Sequence, residues 1–375
     1  MILKTLRRFP RISLLLLITT ALLVAAPIPA LWAHKDEAHQ STPPPIPSYK
    51  LNDSTSTILQ ACERDAHCVM QHLTALATRQ SREPVVSVLH DIIIAAWEQE
   101  EFYCHPNAHH LGYFLFNLFD GDVSQALEFI DNKCGNGLYH GVLENSLQAQ
   151  MKTKNKHVEE LDIATTCAKV GQSPQSNIRM QCFHGMGHAL AKVYDHDIFQ
   201  AAPRCGQFEN WHEQDMCLDG VFMENHVEIF NGGQGVYSKD DLYYPCNAVP
   251  ENFQYRCYMY QASYMLRANN YEYVPAFKAC EQIPSGTEHF IGTCIGGVVN
   301  YLTVRNFFND IDGMATMCAA VNPTYQKNCR NLVVFALVRY VDHDLGDGFC
   351  QLLPPDQTQP CLQEWHRVQV TSNFK

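Results

Sequence analysis

The cysteines constrain this chain more than anything else in it. There are 16, and from residue 167 onward they fall into pairs: Cys167–Cys182, Cys205–Cys217, Cys246–Cys257, Cys280–Cys294, Cys318–Cys329 and Cys350–Cys361. The second members advance by 35, 40, 37, 35 and 32 residues. A period of that length is the mark of a two-helix repeat. Cys62–Cys68 is an earlier pair, and Cys104 and Cys134 remain over.

The text around the pairs agrees with that reading. A helix-like segment (helix A) runs up to each first cysteine, often opened by Asp or Asn, as in DVSQALEFIDNKC ending at Cys134 and HDIFQAAPRC ending at Cys205. A second segment (helix B) begins just after each second cysteine, as in CFHGMGHALAKVY from Cys182 and CLDGVFMENHVEIF from Cys217. Turn formers fill the space between, and no run of alternating strand pattern appears. A cysteine at the end of A and another at the start of B sit at the same edge of a helical hairpin, where they can be bridged. Such a staple contributes about 2–4 kcal/mol, less for short loops. Cys104 and Cys134 lie on that same edge in adjacent units, so a bridge between neighbours is geometrically reasonable. The expected fold is all-α: a disulfide-stapled array of helical hairpins, α-solenoid-like, with about eight two-helix units between residues 58 and 368.

A disulfide framework needs an oxidising compartment, and the N-terminus supplies the route. Residues 1–11 are basic and 12–33 carry no charge, the pattern of a signal peptide or of an uncleaved anchor in the inner membrane. Either way the body is expected to be exported, periplasmic or extracellular. Residues 34–58, rich in Pro, Ser and Thr, read as a tether. Beyond it, 59–230 form the N-terminal repeats and 231–375 the C-terminal repeats of one array. No CxxC occurs, which argues against zinc ribbons and covalent haem. The net charge is −12, and because the first 33 residues hold four bases and no acid, the remainder stands at −16. A body that acidic repels phosphate backbones, so no nucleic-acid partner is expected.

The histidines are unevenly spread. Of 18, ten lie between residues 105 and 226 and three in the last 149 residues. Packing alone would distribute them evenly through equivalent repeats. They also recur at helical spacing: His105 and His109, His140 and Glu144, and His184 and His188 are each i, i+4. In the next unit Asp219 stands where His184 would, with Glu224 near the slot of His188. A residue with a ligating side chain precedes a glycine in three successive units: His140–Gly141, His184–Gly185 and Asp219–Gly220. Residues at i and i+4 face one way, about 6 Å apart. Such pairs on neighbouring B helices can converge on one or two ions. His105, His109, His140, Glu144, His184 and His188 are the candidate ligands. Glu144, Asp219 and Glu224 are the candidate catalytic bases. The cofactor implied is a divalent transition metal: zinc, iron, manganese or copper. The reactions open to it are metal-assisted hydrolysis and oxygen chemistry.

Two other readings use the same residues. A non-enzymatic scaffold would grip a peptide, an envelope protein or an anionic ligand. For the anion, Gly141, Gly185, Gly187 and Gly220 would expose backbone N–H groups at helix N-termini, where the partial positive charge favours anions over metal ions. A metal store or chaperone would share the ligands and need no substrate.

Overall fold

The computed structural model describes residues 53–62, 65–96, 101–130, 134–153, 157–170, 177–231, 233, 235–284, 286–304, 311–338 and 345–372. These residues form 17 α-helices joined by turns, with no strand among them. They belong to one compact unit, Leu51–Lys375. The expected signal segment, and most of the tether, lie outside the described residues. Asp53 to Ile58, read as the end of the tether, are instead the first turns of α1 (Asp53–Cys62). The run of Ser and Thr concealed the helix; Thr55 is buried and hydrogen-bonds to Asp91 at 3.4 Å.

Short and long helices alternate from α5 onward, except that the long α10 and α11 follow one another. The short ones are α5 (Val123–Glu128), α7 (Ala164–Ala168), α9 (Ile198–Arg204), α12 (Tyr273–Glu281), α14 (Ile311–Ala320) and α16 (Leu345–Gln351). The long ones are α6 (Gly137–Thr153), α8 (Asn177–Val193), α10 (Trp211–Asn231), α11 (Glu251–Ala268), α13 (Glu288–Val304), α15 (Gln326–Ala336) and α17 (Pro355–Ser372), preceded by α4 (Glu101–Leu118). Each long helix packs on the next, from α4 through α6, α8, α10, α11, α13 and α15 to α17. The short helices lie along this row, and α5 touches α7, α12 touches α14, and α14 touches α16. With neighbours on both sides and a short helix beneath, a long helix buries more than one stripe. Leu111, Leu115, Val142, Leu143, Leu190, Val221, Phe222, Val298 and Val299 are all buried.

Two departures from the expected hairpin have simple causes. The long helices begin before the second cysteine of each pair, not after it. Cys182, Cys217, Cys257 and Cys294 each lie two turns or nearly so inside their helices. Polar residues such as Asn177, Trp211-His212-Glu213 and Glu251-Asn252 fill those first turns, so an apolar pattern starting at the cysteine places the boundary too late. Before Cys246 there is no short helix. Residues 242–248 form successive turns, in a stretch containing Pro245 and Asn247.

All 16 cysteines are paired, with Cα atoms 5.1–5.8 Å apart. Seven bridges join the pairs that the spacing picks out, and the eighth joins Cys104 to Cys134. Eight intrachain disulfides point to an oxidising, exported environment. Among the described residues no helix is long and apolar enough to cross a membrane.

The turn from a long helix to the next short one is itself repeated. Asp120–Gly121, Asp195–His196 and Asn270–Tyr271 all take positive φ. The amides of Gly121, His196 and Tyr271 reach back five residues, to the carbonyls of Phe116, Ala191 and Leu266, at 2.7–2.9 Å. This is the i to i−5 bond of a Schellman-type helix end. Asp122 and Asp197 follow directly and cap the next helix, accepting from the Gln125 and Phe199 amides. Gly121 is the one glycine among these six positions, suited to φ 82° because it lacks Cβ.

Candidate metal centre

Glycine sets how closely the long helices approach. A Cβ on Gly141 (α6) would lie 2.0 Å from the carbonyl oxygen of His109 (α4), and one on Gly112 (α4) 2.4 Å from that of Leu138. The α8–α10 contact repeats the device: a Cβ on Gly220 would lie 2.0 Å from the His184 carbonyl oxygen, and one on Gly187 2.0 Å from that of Cys217. No side chain fits between the backbones at these crossings. The residues beside the glycines are therefore pressed together. His140 meets His109 at one crossing, and Asp219 meets His184 at the other. This overturns the expectation that Gly141, Gly185, Gly187 and Gly220 expose N–H groups to an anion. They lie inside helices, and Gly141, Gly187 and Gly220 face carbonyl oxygens of the adjoining helix. The helix-terminus argument for an anion falls with it.

Five histidines from α4, α6 and α8 come together. Four have Nδ1 turned toward an acceptor. His105 Nδ1 is 2.9 Å from the Cys134 carbonyl oxygen, and His109 Nδ1 is 2.9 Å from Glu144 Oε1. His188 Nδ1 is 2.6 Å from Glu224 Oε2. His184 Nδ1 lies 3.1 Å from Asp219 Oδ2, in ion-pair range but off the hydrogen-bond axis. Carbonyl and carboxylate oxygens only accept, so His105, His109 and His188 carry their proton on Nδ1, and the Asp219 charge beside His184 Nδ1 favours the same tautomer there. That leaves a lone pair on every Nε2, and these lone pairs point at one another in twos. His105 Nε2 and His109 Nε2 are 3.1 Å apart, and His184 Nε2 and His188 Nε2 are 3.3 Å apart. Burial opposes charge on three of the five rings. Burial, followed by the neighbouring His109, lowers His105 to about 4. Burial and adjacent histidines hold His140 and His188 well below the ordinary imidazole range.

His140 sits between the pairs and is fully buried. Its Nδ1 is 3.2 Å from His109 Nε2. Its Nε2 is buried with no hydrogen-bond partner. Two groups of three histidines share it: His105, His109 and His140, and His140, His184 and His188, each with ligand atoms within 4.8 Å of one another. Either group can hold a metal ion.

The first group has the geometry of a tripod. Its three ring centroids are 4.8–5.0 Å apart, and each pair of rings is inclined by 70–73°. His109 Nε2 lies 3.1 Å from His105 Nε2 and 3.2 Å from His140 Nδ1, spacings that would subtend about 100° at an ion about 2.05 Å from each, close to tetrahedral. His105 and His109 are the less buried members, with 12% of the His109 side chain exposed, whereas His140, His184 and His188 are buried.

The carboxylates stand behind the imidazoles rather than among them. Glu144, expected as a ligand and a base, has both oxygens engaged: Oε1 by His109 and by Lys192 Nζ at 2.7 Å, and Oε2 by the Tyr113 hydroxyl at 2.7 Å. Burial would raise its pKa, but the donors on His109 and Lys192 outweigh burial and hold it below the usual carboxylate range. Asp219 also accepts from Arg256 at 2.9 Å. Burial works to raise Asp219 too, and the His184 contact and the Arg256 charge bring it down to about 2. A carboxylate that receives a ligand's second N–H fixes its tautomer and orientation.

Four residues in this arrangement lie outside the sequence-based candidates. Lys192 follows His184 and His188 at i+8 and i+4 on α8, and lies 3.8 Å from Glu224 Oε1 as well as on Glu144. Tyr113 extends the row of His105 and His109 on α4 in the same way. Arg256 on α11 pairs with Asp215 and Asp219, tying α11 to the carboxylate behind His184. Comparison with protein-family models, curated proteins and solved structures gives no match for this chain.

Proposed function

We propose that the protein is an exported metalloprotein holding a divalent transition-metal ion on His105, His109 and His140. One observation carries the reading: Nδ1–H groups tied to Cys134 and Glu144 leave two bare Nε2 lone pairs 3.1 Å apart, with His140 Nδ1 closing the tripod at 3.2 Å. Two facing lone pairs repel, and a cation between them converts that repulsion into coordination. An all-imidazole donor set suits zinc or copper better than manganese, which favours oxygen donors. Three histidines and an open position are the pattern of catalytic zinc. When bound, zinc would supply Lewis acidity and a water of lowered pKa for hydrolysis, and copper would supply oxygen chemistry.

The chain's own groups have separate tasks. Cys134 and Glu144 orient His105 and His109. Lys192 neutralises Glu144 and leans toward Glu224. Tyr113, half-buried, donates to Glu144.

The test is elemental. The full disulfide-bonded chain is stripped with chelator, supplied with zinc or copper, and freed of excess. At least one equivalent of one metal should remain, and the His105→Ala/His109→Ala protein should lose it. Wild-type protein that retains neither metal, while its helical circular-dichroism signal is intact, overturns the reading.

A further inference from the structure

The proposed site uses one nitrogen of His140 and leaves the other without a role. His140 Nε2 is buried and has no hydrogen-bond partner. An orphaned imidazole nitrogen in the interior keeps its full desolvation penalty unless something outside the protein satisfies it. Its edge of the ring faces α8. A Cβ on Gly185, next to His184, would lie 3.4 Å from His140 Cδ2, the carbon bonded to Nε2. The His140 ring centroid is 5.2 Å from that of His184 and 4.1 Å from that of His188. The Nε2 atoms of those two rings carry lone pairs 3.3 Å apart, because their protons face Asp219 and Glu224. That spacing subtends about 107° at an ion about 2.05 Å from each.

We infer that His140 bridges two metal ions, Nδ1 completing the group on α4 and Nε2 completing a second, buried group with His184 and His188. This rests on the proposed function for its first ion and adds the second. The proton balance is definite. Free His140 holds one N–H proton. Coordination through both nitrogens releases it to solvent and leaves an imidazolate between the ions. Glu144, Asp219, Glu224 and the imidazolate set four negative charges around the two ions, part of which Lys192 on Glu144 and Arg256 on Asp219 offset. The two ions would be unequal. The one on His105 and His109 would lie in the less buried of the two groups. The His188 ring, now stacked on His140 at an inclination of 24°, has to tilt for both to point at one ion.

Copper(II) chloride is the probe, added to the full chain after chelator treatment. Two equivalents should bind, and the electron paramagnetic resonance spectrum should show a spin-coupled pair, since an imidazolate transmits coupling between the two unpaired electrons. His184→Ala/His188→Ala should bind one equivalent and give the signal of an isolated ion. His140→Ala should lose the coupling. Two equivalents with the full intensity of isolated ions in the wild type would overturn the bridge. So would one equivalent that survives His184→Ala/His188→Ala and is lost with His105→Ala/His109→Ala, although the proposed function would stand. Absence of bound copper and zinc alike would overturn both. The wild-type spectrum decides the matter even where a variant fails to fold.

Discussion

At the scale of single residues, the histidines were legible and their partners were not. His105 and His109, and His184 and His188, stand out because i, i+4 spacing puts two imidazoles on one helix face. Glu144, Asp219 and Glu224 are recognisable as chemical groups, but spacing cannot say which atom faces the ion. Imidazole has two nitrogens, and a carboxylate that reaches Nδ1 holds the ring without touching what Nε2 holds. Lys192 and Tyr113 extend the same helical rows by one step, and neither residue type signals a ligand by itself. The assignment of Glu144 as a supporting group has a measurable consequence. Glu144→Gln keeps an oxygen to accept from His109 but loses the charge. The retained metal at the His105 group should bind about 10–100-fold more weakly, the usual effect of altering a carboxylate behind a ligating histidine. Competition with a chelator of known affinity measures it. An unchanged affinity would mean that Glu144 contributes only to packing.

At the scale of helices, the period and the alternation of short and long segments were readable, because cysteine positions and Asp-rich turns recur. The starts of the long helices were not, since polar residues such as His212, Glu213, Glu251 and Asn252 open them. The glycines were misread for a related reason. A glycine beside a ligating residue looks like a loop or a helix start, and only the neighbouring helix shows that it is a contact surface. Gly220→Ala tests that surface. Its new methyl would meet the His184 carbonyl oxygen, 2.0 Å away, so α8 and α10 must separate. Overpacking of this kind costs about 1–3 kcal/mol. It should also move Asp219 off His184 and loosen metal held there. Gly206→Ala is the control, because a Cβ at that position meets nothing within 4 Å. Its stability should stay within about 0.5 kcal/mol of wild type, as for most surface changes. Denaturant melts of both variants supply the comparison, and equal losses would remove the packing explanation.

At the scale of the whole molecule, each long helix touches mainly the one before it and the one after it. Stability in such an array is close to a sum of local terms and nearest-neighbour contacts. The histidine groups occupy α4 to α8, with their carboxylates on α6 and α10, so the C-terminal helices are distant in sequence order from the proposed metal groups. The disulfides allow that locality to be tested. Removing Cys350–Cys361, which closes 11 residues, should cost about 3 kcal/mol from loop entropy and leave metal content unchanged. Removing Cys104–Cys134, which closes 30 residues, should cost slightly more, about 3.5 kcal/mol. Its second effect is the diagnostic one. Cys134 supplies the carbonyl oxygen that accepts from His105, and Cys104 immediately precedes that histidine on α4. With the bridge gone, the tripod loses the anchor of one leg, so metal affinity should fall together with stability. Paired alanine variants, compared by metal content and by unfolding, separate the two effects. Equal metal loss from both bridges would show that the array responds as one cooperative body and not helix by helix.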